Sequence, residues 1–264
     1  NISANANWAQ NGVTVAGGSG AGGANNQLNQ PYGLVVNDDQ TLVIVDHMNH
    51  RIMQWKNGNT TNGQVVAGDN GAGNGLNQLN YPTDVLIDKE TDSLIICDWG
   101  NGRVVRWSRR SGTTQGELLI DSLQCSGLAM GEQRYLYVSD WYTNEVRQYQ
   151  GCDKIGILVA GGNAQNSGLN QLSVPTYLFV DEQKNVHVSD WNNNRVMKWN
   201  TGATNHRVIR WTQGATQGTV IAGGNGQGAG ANQFNYPFGL GFDQHGNLYV
   251  TDYGNHRVQR FSIE

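Results

Sequence analysis

The sequence predicts an all-β repeat protein, a β-propeller expected to have six blades, forming a single domain over residues 1–264. Two observations carry this prediction. One five-residue motif recurs: it begins with Arg (Glu in the third copy), continues with Ile or Val, and ends with an aromatic residue. Its copies are residues 51–55, 103–107, 145–149, 195–199, 207–211 and 257–261. Most copies lie about 50 residues apart, and each full repeat holds four short strand-like runs, which is typical of propeller blades.

The strands can be placed within one repeat. In the fourth repeat they are residues 175–181, 185–190 and 194–199, and the matching outer strand is seen at residues 218–224. These runs alternate apolar and polar residues and are rich in Val, Ile, Leu, Tyr and Trp, as half-buried antiparallel strands are. Gly, Asn and Asp between them favour tight turns. No window shows the spacing of an amphipathic helix.

The two ends of the chain predict closure of the ring. Residues 12–18 form a lone outer strand, and the last repeat stops after three strands, at residues 237–243, 247–252 and 256–261. We therefore expect residues 13–17 to pair with residues 256–261 and complete the last blade. That pairing would remove an exposed sheet edge.

One interval breaks the period. The aliphatic positions follow one another at 52, 42, 50, 12 and 50 residues, and restoring the period near residues 200–204 would require about 38 more residues. One alternative is six blades with a lost stretch, and the other is a five-bladed ring with a twelve-residue insertion. Five aspartate motifs and six Arg–Val motifs, intact and in phase, favour six blades.

An aspartate stands six residues before most of the aliphatic positions and forms a pair with the repeat arginine. The pairs are Asp46 with Arg51, Asp98 with Arg103, Asp190 with Arg195, and Asp252 with Arg257. Because they recur in most repeats, they are interpreted as framework rather than as catalytic groups. We expect each aspartate to accept turn N–H bonds and to face an arginine, since buried charges need partners.

The pattern V-x-D-x-x-N-H-R-V, as in residues 250–258, resembles the NHL repeat. The resemblance implies a six-bladed propeller, here of the secreted or extracellular type. Some members are zinc-dependent lyases and others bind RNA. The third repeat departs most from the pattern, with Cys125 in place of proline and Glu145 in place of arginine.

Composition and sequons favour an extracellular protein. Charged residues make up 14% of the chain, the formal net charge is −4, and no apolar run could span a membrane. With no initial Met and no signal peptide, we expect a mature product or an excised domain. Asn1 and Asn59 begin N-glycosylation sequons.

The three cysteines allow one predicted crosslink. Cys125 and Cys152 bracket the third repeat and could form a disulfide, although their separation across the blade could be too large for one. Cys97 lies within a strand and is expected to be a buried free thiol.

No catalytic, metal-binding or cofactor-binding residues are predicted. Three histidines share one repeat position, His50, His206 and His256, where side chains diverge instead of converging on an ion. Nucleic acid is disfavoured as a partner because the net charge is negative.

The residue directly after the repeat aspartate is the candidate binding face. These residues are His47, Trp99, Trp141, Trp191 and Tyr253. Exposed aromatics in these turns suit a protein contact or stacking on sugars. The alternative is that each ring packs against the neighbouring blade's loop.

The predicted function is a non-catalytic extracellular binding or structural module, acting on proteins or glycans or assembling with itself into fibres. The alternatives are a metal-dependent lyase or hydrolase with its metal in the central channel, and an RNA-binding propeller.

Overall fold

The computed structural model describes residues 7–56, 61–151, 153–166, 171–180, 186–193, 195–196, 207–210 and 219–263. Its strands form six antiparallel sheets, four of which have four strands. The chain divides into two compact units, each described by itself. Unit one is Asn1–Val66 with Thr204–Glu264, and unit two is Ala67–Ala203.

The strands of unit one are β1 (Val13–Gly17), β2 (Pro31–Val36), β3 (Leu42–Asp46), β4 (Arg51–Trp55), β5 (Gln64–Gly68, which runs past the unit boundary), β17 (Arg207–Arg210), β18 (Thr219–Gly223), β19 (Pro237–Phe242), β20 (Leu248–Asp252) and β21 (Arg257–Phe261). The sheet orders are β2-β3-β4-β5, β17-β18 and β1-β21-β20-β19. Neighbouring strands in these sheets are consecutive in the sequence, except that β1 pairs with β21 in the last sheet.

The strands of unit two are β6 (Pro82–Asp88), β7 (Ser93–Asp98), β8 (Arg103–Ser108), β9 (Glu117–Ile120), β10 (Cys125–Met130), β11 (Tyr135–Asp140), β12 (Glu145–Gln150), β13 (Ile157–Gly161), β14 (Pro175–Val180), β15 (Val186–Asp190) and β16 (Arg195–Val196). They form the sheets β6-β7-β8-β9, β10-β11-β12-β13 and β14-β15-β16. The predicted meander of four strands per repeat is thus confirmed.

The N-terminal strand completes the C-terminal sheet, as the strand count predicts. β1 pairs antiparallel with β21, with Val13 opposite Arg260 and Gly17 opposite Arg257. Just before β1, the buried Trp8 donates its indole Nε1–H to the carbonyl of Gly246 at 3.0 Å. The predicted pairing of residues 13–17 with residues 256–261 is confirmed.

The interval near residue 200 separates two sheets. β16 belongs to the sheet of β14 and β15, whereas β17 pairs with β18 in a sheet of its own. The expectation of six sheets is confirmed. Residues 197–206 lie outside the described residues.

The core is formed where consecutive sheets meet. One cluster in unit two joins Ile95 and Val104 to Leu128 and Val138, all buried. Every residue of β3 is buried, because both faces of a central strand contact neighbours.

The predicted disulfide is wrong. Cys97 on β7 is bonded to Cys125 on β10, with their Cα atoms 5.5 Å apart. Cys125 therefore cannot pair with Cys152, which lies outside the described residues, and Cys97 is not a free thiol. The bond joins two neighbouring sheets of unit two, a proximity that follows from sheet packing and not from the distance along the chain.

Short 3₁₀ helices follow the second strand of most sheets. They span His47–Asn49, Trp99–Asn101, Trp191–Asn193 and Tyr253–Asn255, and another turn spans Glu132–Arg134. Those before β4 and β21 end on His50 and His256, whose φ angles are 54° and 53°. Among the described residues, no helix is both long and apolar enough to cross a membrane.

Candidate functional site

The repeat aspartate is the centre of a hydrogen-bonded frame beneath the turns. In the sheet β6–β9, Asp98 accepts the Asn80 N–H at 2.7 Å on Oδ1. Its Oδ2 accepts Asn101 Nδ2–H at 2.8 Å and Arg103 Nε–H at 2.7 Å. Burial raises the pKa of Asp98, and the bonds from these three residues oppose that shift.

The same side chains fasten the loop that leads into β6. Asn101 donates to the carbonyl of Gly73 at 2.8 Å. Arg103 donates to the carbonyls of Asn74 at 2.8 Å and Gly75 at 2.9 Å. One buried ion pair thus fixes both the turn after the second strand and the loop before the first.

Unit one contains two copies of this frame. Nε lies 2.7 Å from Oδ2 in the pair of Asp46 and Arg51 and in the pair of Asp252 and Arg257. Both aspartates are fully buried. Because a buried charge without a partner costs several kcal/mol, these pairs act as framework and not as a reactive site.

The fourth repeat shows part of the frame. Asp190 accepts the Ser173 N–H at 2.6 Å. Its sequence partner is Arg195, whose side chain lies outside the described ones.

The third repeat keeps one bond of the frame, from the Gln124 N–H to Asp140 at 3.1 Å, and replaces the others. Asp140 accepts the N–H groups of Tyr142 and Thr143 at 2.9 and 3.1 Å, so it caps its own turn. Glu145, which stands where the other repeats have arginine, instead forms an ion pair with Arg147 at 2.6 Å. The turn after β11 is therefore held by hydrogen bonds within the turn itself, and not by an arginine paired with the aspartate.

A glutamine clasp inside each long loop was missed by the sequence analysis. Each glutamine donates Nε2–H to a carbonyl eight residues earlier at 2.7–3.1 Å, and the four pairs are Gln27 with Ser19, Gln78 with Asn70, Gln171 with Asn163, and Gln233 with Asn225. A Cβ on Gly22, Gly73 or Gly228 would overlap the end of the clasping side chain, so a larger residue there would displace the clasp. The signal available was the recurring Q-L or Q-F pair before each proline.

Two of the predicted face residues come together in unit two. The ring centroids of Trp99 and Trp141, from the turns of consecutive sheets, lie 6.2 Å apart. Tyr81 lies 6.3 Å from Trp99, and Tyr142 lies 6.2 Å from Trp141. We call Tyr81, Trp99, Trp141 and Tyr142 the aromatic strip. Tyr142 is 72% exposed and the other three are partly exposed.

Two more lie together in unit one, around a tyrosine from the first strand. Tyr32 stacks on His47 with centroids 4.2 Å apart, and its ring lies 5.5 Å from Tyr253 and 4.2 Å from Phe238. Burial, and to a smaller extent Tyr253, raises the pKa of Tyr32 to about 12. His47 is only 8% exposed. It therefore packs against a neighbouring ring, as the alternative interpretation expects, and does not belong to an exposed binding face.

The last residue of the predicted binding face lies in the turn of the fourth repeat. Trp191 is 60% exposed in its turn. The sequon residues Asn1 and Asn59 lie outside the described residues. Within the described ranges, no three His, Cys, Asp or Glu side chains converge as metal ligands would.

One buried carboxyl group outside the frame, that of Asp84, has no arginine beside it among the contacts described here. Asp84 lies on β6 and accepts the N–H groups of Leu128 at 2.8 Å and Val85 at 2.9 Å. Burial raises the pKa of Asp84 from 3.8 to about 7, and the two hydrogen bonds only partly oppose this.

The family model "NHL repeat" matches residues 234–261, which contain β19, β20 and β21. A search of curated protein sequences found no match.

Solved structures of similar fold include binding proteins and an enzyme. An auxiliary nutrient binding protein from Bacteroides thetaiotaomicron has a TM-score of 0.63 at 16% identity, covering 90% of this chain and 70% of that one. A chain of a nidogen/laminin complex has a TM-score of 0.51 at 17% identity, covering 85% and 72%. A gluconolactonase from Xanthomonas campestris has a TM-score of 0.51 at 14% identity, covering 99% and 89%.

These likenesses show the fold. The chain has a β-propeller-like fold, and the match to the NHL repeat lies in its C-terminal sheet. Proteins of this fold include both enzymes and binding proteins, so function has to be argued from the residues of this chain.

Proposed function

We propose that this protein is a non-catalytic extracellular binding module that engages protein partners, a second copy of itself first among them, through the aromatic strip. The observation that carries the proposal is the contact of Trp99 with Trp141, their centroids 6.2 Å apart, flanked by a 72% exposed Tyr142. Consecutive turns thus combine their rings into one surface.

The physical basis is contact area on a rigid support. Tryptophan and tyrosine present large apolar surfaces with few rotatable bonds, so little side-chain entropy is lost when a partner binds. The Asp98–Arg103 ion pair holds the Trp99 turn from below. A preorganised surface of this kind retains more of its contact energy as affinity.

Two further features support an extracellular role in protein contacts. The buried Cys97–Cys125 disulfide is of the kind that persists in oxidising compartments. A charged fraction of 14% keeps repulsion between copies low. The nidogen/laminin complex offers a precedent of a similar fold inside a protein assembly.

Light scattering tests whether the protein associates with itself, and a glycan array tests whether the aromatic strip binds sugars. Size-exclusion chromatography with light scattering, over a range of concentrations, should show self-association by the wild type. Association should be lost in the double variant Trp99→Ala and Trp141→Ala, because the paired rings carry the contact area. Phe179→Ala removes a 62% exposed ring outside the strip and should behave as wild type.

Two results would contradict the proposal. One is a monodisperse monomer at high concentration that the double tryptophan variant does not change. The other is glycan binding that depends on both tryptophans, which would assign the strip to sugars instead of proteins.

A further inference from the structure

The outer strand β13 of unit two carries a run of exposed apolar side chains. Ile157 is 68% exposed, Leu158 45% and Val159 38%. Ile155, just before the strand, is 84% exposed. From residue 155 to residue 161 the sequence I-G-I-L-V-A-G holds no polar side chain. We call Ile155, Ile157, Leu158 and Val159 the apolar edge.

The other repeats have mostly polar residues at the two most exposed of these positions. The equivalents of Ile155 are Asn11, Asn62, Gln115 and Gln217, and the equivalents of Ile157 are Val13, Gln64, Glu117 and Thr219. Each of the other outer strands, β1, β5, β9 and β18, holds one polar residue. Polar and charged residues commonly protect an outer strand from pairing with other chains. The strand β13 lacks this protection.

The exposure belongs to these positions of the repeat. Val13, the equivalent of Ile157, is 55% exposed, and Leu118, the equivalent of Leu158, is 37% exposed. The sheets that follow β1 and β9 along the chain both have four strands. A complete following sheet therefore leaves these positions exposed as well.

The apolar edge and the aromatic strip lie towards opposite ends of one sheet. Trp141 and Tyr142 stand in the turn between β11 and β12, at the end of the sheet where Gly161 of β13 also lies. Ile157 is four residues from Gly161, which is about 13 Å along a strand. Ile157 and Tyr142 are both largely exposed, so neither surface covers the other within one chain.

We propose that the apolar edge of one copy of this chain binds the aromatic strip of the next copy. This contact presupposes the proposed function, in which copies associate through the strip, and it adds the surface that the strip meets. Aromatic rings pair favourably with β-branched side chains, and three of the four edge residues are Ile or Val. Contact of one strip with another would leave the apolar edge of both copies in water. Each contact of strip with edge leaves one strip and one edge unoccupied, so association can continue beyond two copies.

The two surfaces are large enough for a stable contact. The exposed parts of the apolar edge amount to about 450 Å², which is in the size range of functional patches on monomers. The four rings of the strip offer an area of the same order. Joining the two surfaces would bury on the order of 1,000 Å² in total, the smallest area expected of a specific interface. No charged side chain lies between residues 155 and 161, so no charge of the edge has to be desolvated.

An edge variant tests the contact by light scattering over a range of concentrations. Ile155→Asn and Ile157→Gln together give β13 the residues that the first repeat has at Asn62 and Gln64, so the fold should be retained. Circular dichroism checks this. The edge variant should raise the concentration at half-association at least about tenfold, because the two most exposed apolar side chains of the edge are lost. Val13→Gln changes the equivalent exposed position of β1 and should associate as the wild type does.

Mixing two variants identifies the surface that the strip meets. The edge variant keeps its aromatic strip, and the double variant Trp99→Ala and Trp141→Ala keeps its apolar edge. An equimolar mixture should therefore form a complex of two chains at concentrations where neither variant associates alone. The complex should stop at two chains, because one partner has no second strip to offer and the other has no second edge.

The proposal is overturned if the edge variant associates as the wild type does while the double tryptophan variant does not, because the strip would then meet another surface. A mixture that stays monomeric at concentrations where the wild type associates overturns it as well. A wild type that does not associate at all would instead contradict the proposed function, and this contact with it.

Discussion

At the scale of single residues, Asp84 is the departure from the repeat with a measurable consequence. The equivalent position is glycine in three other first strands, at Gly33, Gly127 and Gly239, and Tyr177 in another. A carboxyl group at this position is buried and accepts two backbone N–H bonds without a cationic partner among its described contacts. Its charge is therefore opposed by desolvation.

Stability should fall as pH rises through the range in which Asp84 loses its proton. Its pKa is about 7 in the folded protein against an ordinary 3.8, so between those values the folded state holds a proton that the unfolded chain has lost. The free energy of unfolding of the wild type should therefore drop by about 2 to 4 kcal/mol from pH 4 to pH 8 relative to Asp84→Asn. Urea unfolding of both proteins across this range measures the difference.

Comparing slopes separates this effect from the other carboxylates, which both proteins share. Parallel stability curves for the wild type and Asp84→Asn would contradict a raised pKa. A constant offset between the curves would only report the change in hydrogen bonding.

Some side-chain contacts could be predicted from the sequence and others could not. The pairing of Asp98 with Arg103 could be predicted because both recur in register. The clasp of Gln78 on Asn70 had a signal in the recurring Q-L or Q-F pair, but the repeat alone does not show which carbonyl the glutamine binds until its loop is folded. The meeting of Trp99 with Tyr81 depends in the same way on the path of a loop.

At the scale of elements, the Cys97–Cys125 bond ties the second strand of one sheet to the first strand of the next. It closes a segment with a sequence separation of 28, for which loop-closure entropy gives about 3.5 kcal/mol of stabilisation. The sequence could not show this pairing, because cysteines in different repeats meet only once the order of the sheets is known.

Reduction should lower the free energy of unfolding by about 2 to 4 kcal/mol. Urea unfolding with and without a reductant measures this change, and Cys125→Ser should make the protein insensitive to the reductant. Alkylation of the denatured, unreduced protein should modify one cysteine, Cys152. Modification of all three cysteines would show that the bond is absent.

At the scale of the whole molecule, the strand pairing that joins the two ends of the sequence is the decisive contact. β1 adds to β21, and Trp8 adds a side-chain hydrogen bond to Gly246. The sequence could predict this pairing because strands can be counted without knowing how they pack. The length of the interval near residue 200 could likewise be read from the period.

Deleting residues 1–18 should lower the melting temperature by more than about 10 °C, because it leaves β21 as an open edge and removes the Trp8 contact. Thermal unfolding followed by circular dichroism measures this. Deletion of residues 1–6 keeps Trp8 and β1 and serves as the matched control. Equal melting temperatures for the two truncated proteins would show that β1 does not stabilise the fold.

The hydrogen-bonded frame and the glutamine clasp also bear on how a repeat protein can gain repeats by gene duplication. Asn101 and Arg103 reach back 28 and 29 residues to Gly73 and Asn74, and Gln78 reaches back eight residues to Asn70. All three spans are shorter than the 52 residues between Ile52 and Val104. A gene duplication of one repeat would therefore copy the loop together with these three side chains. The copied loops could then diverge at their tips while keeping these anchoring side chains.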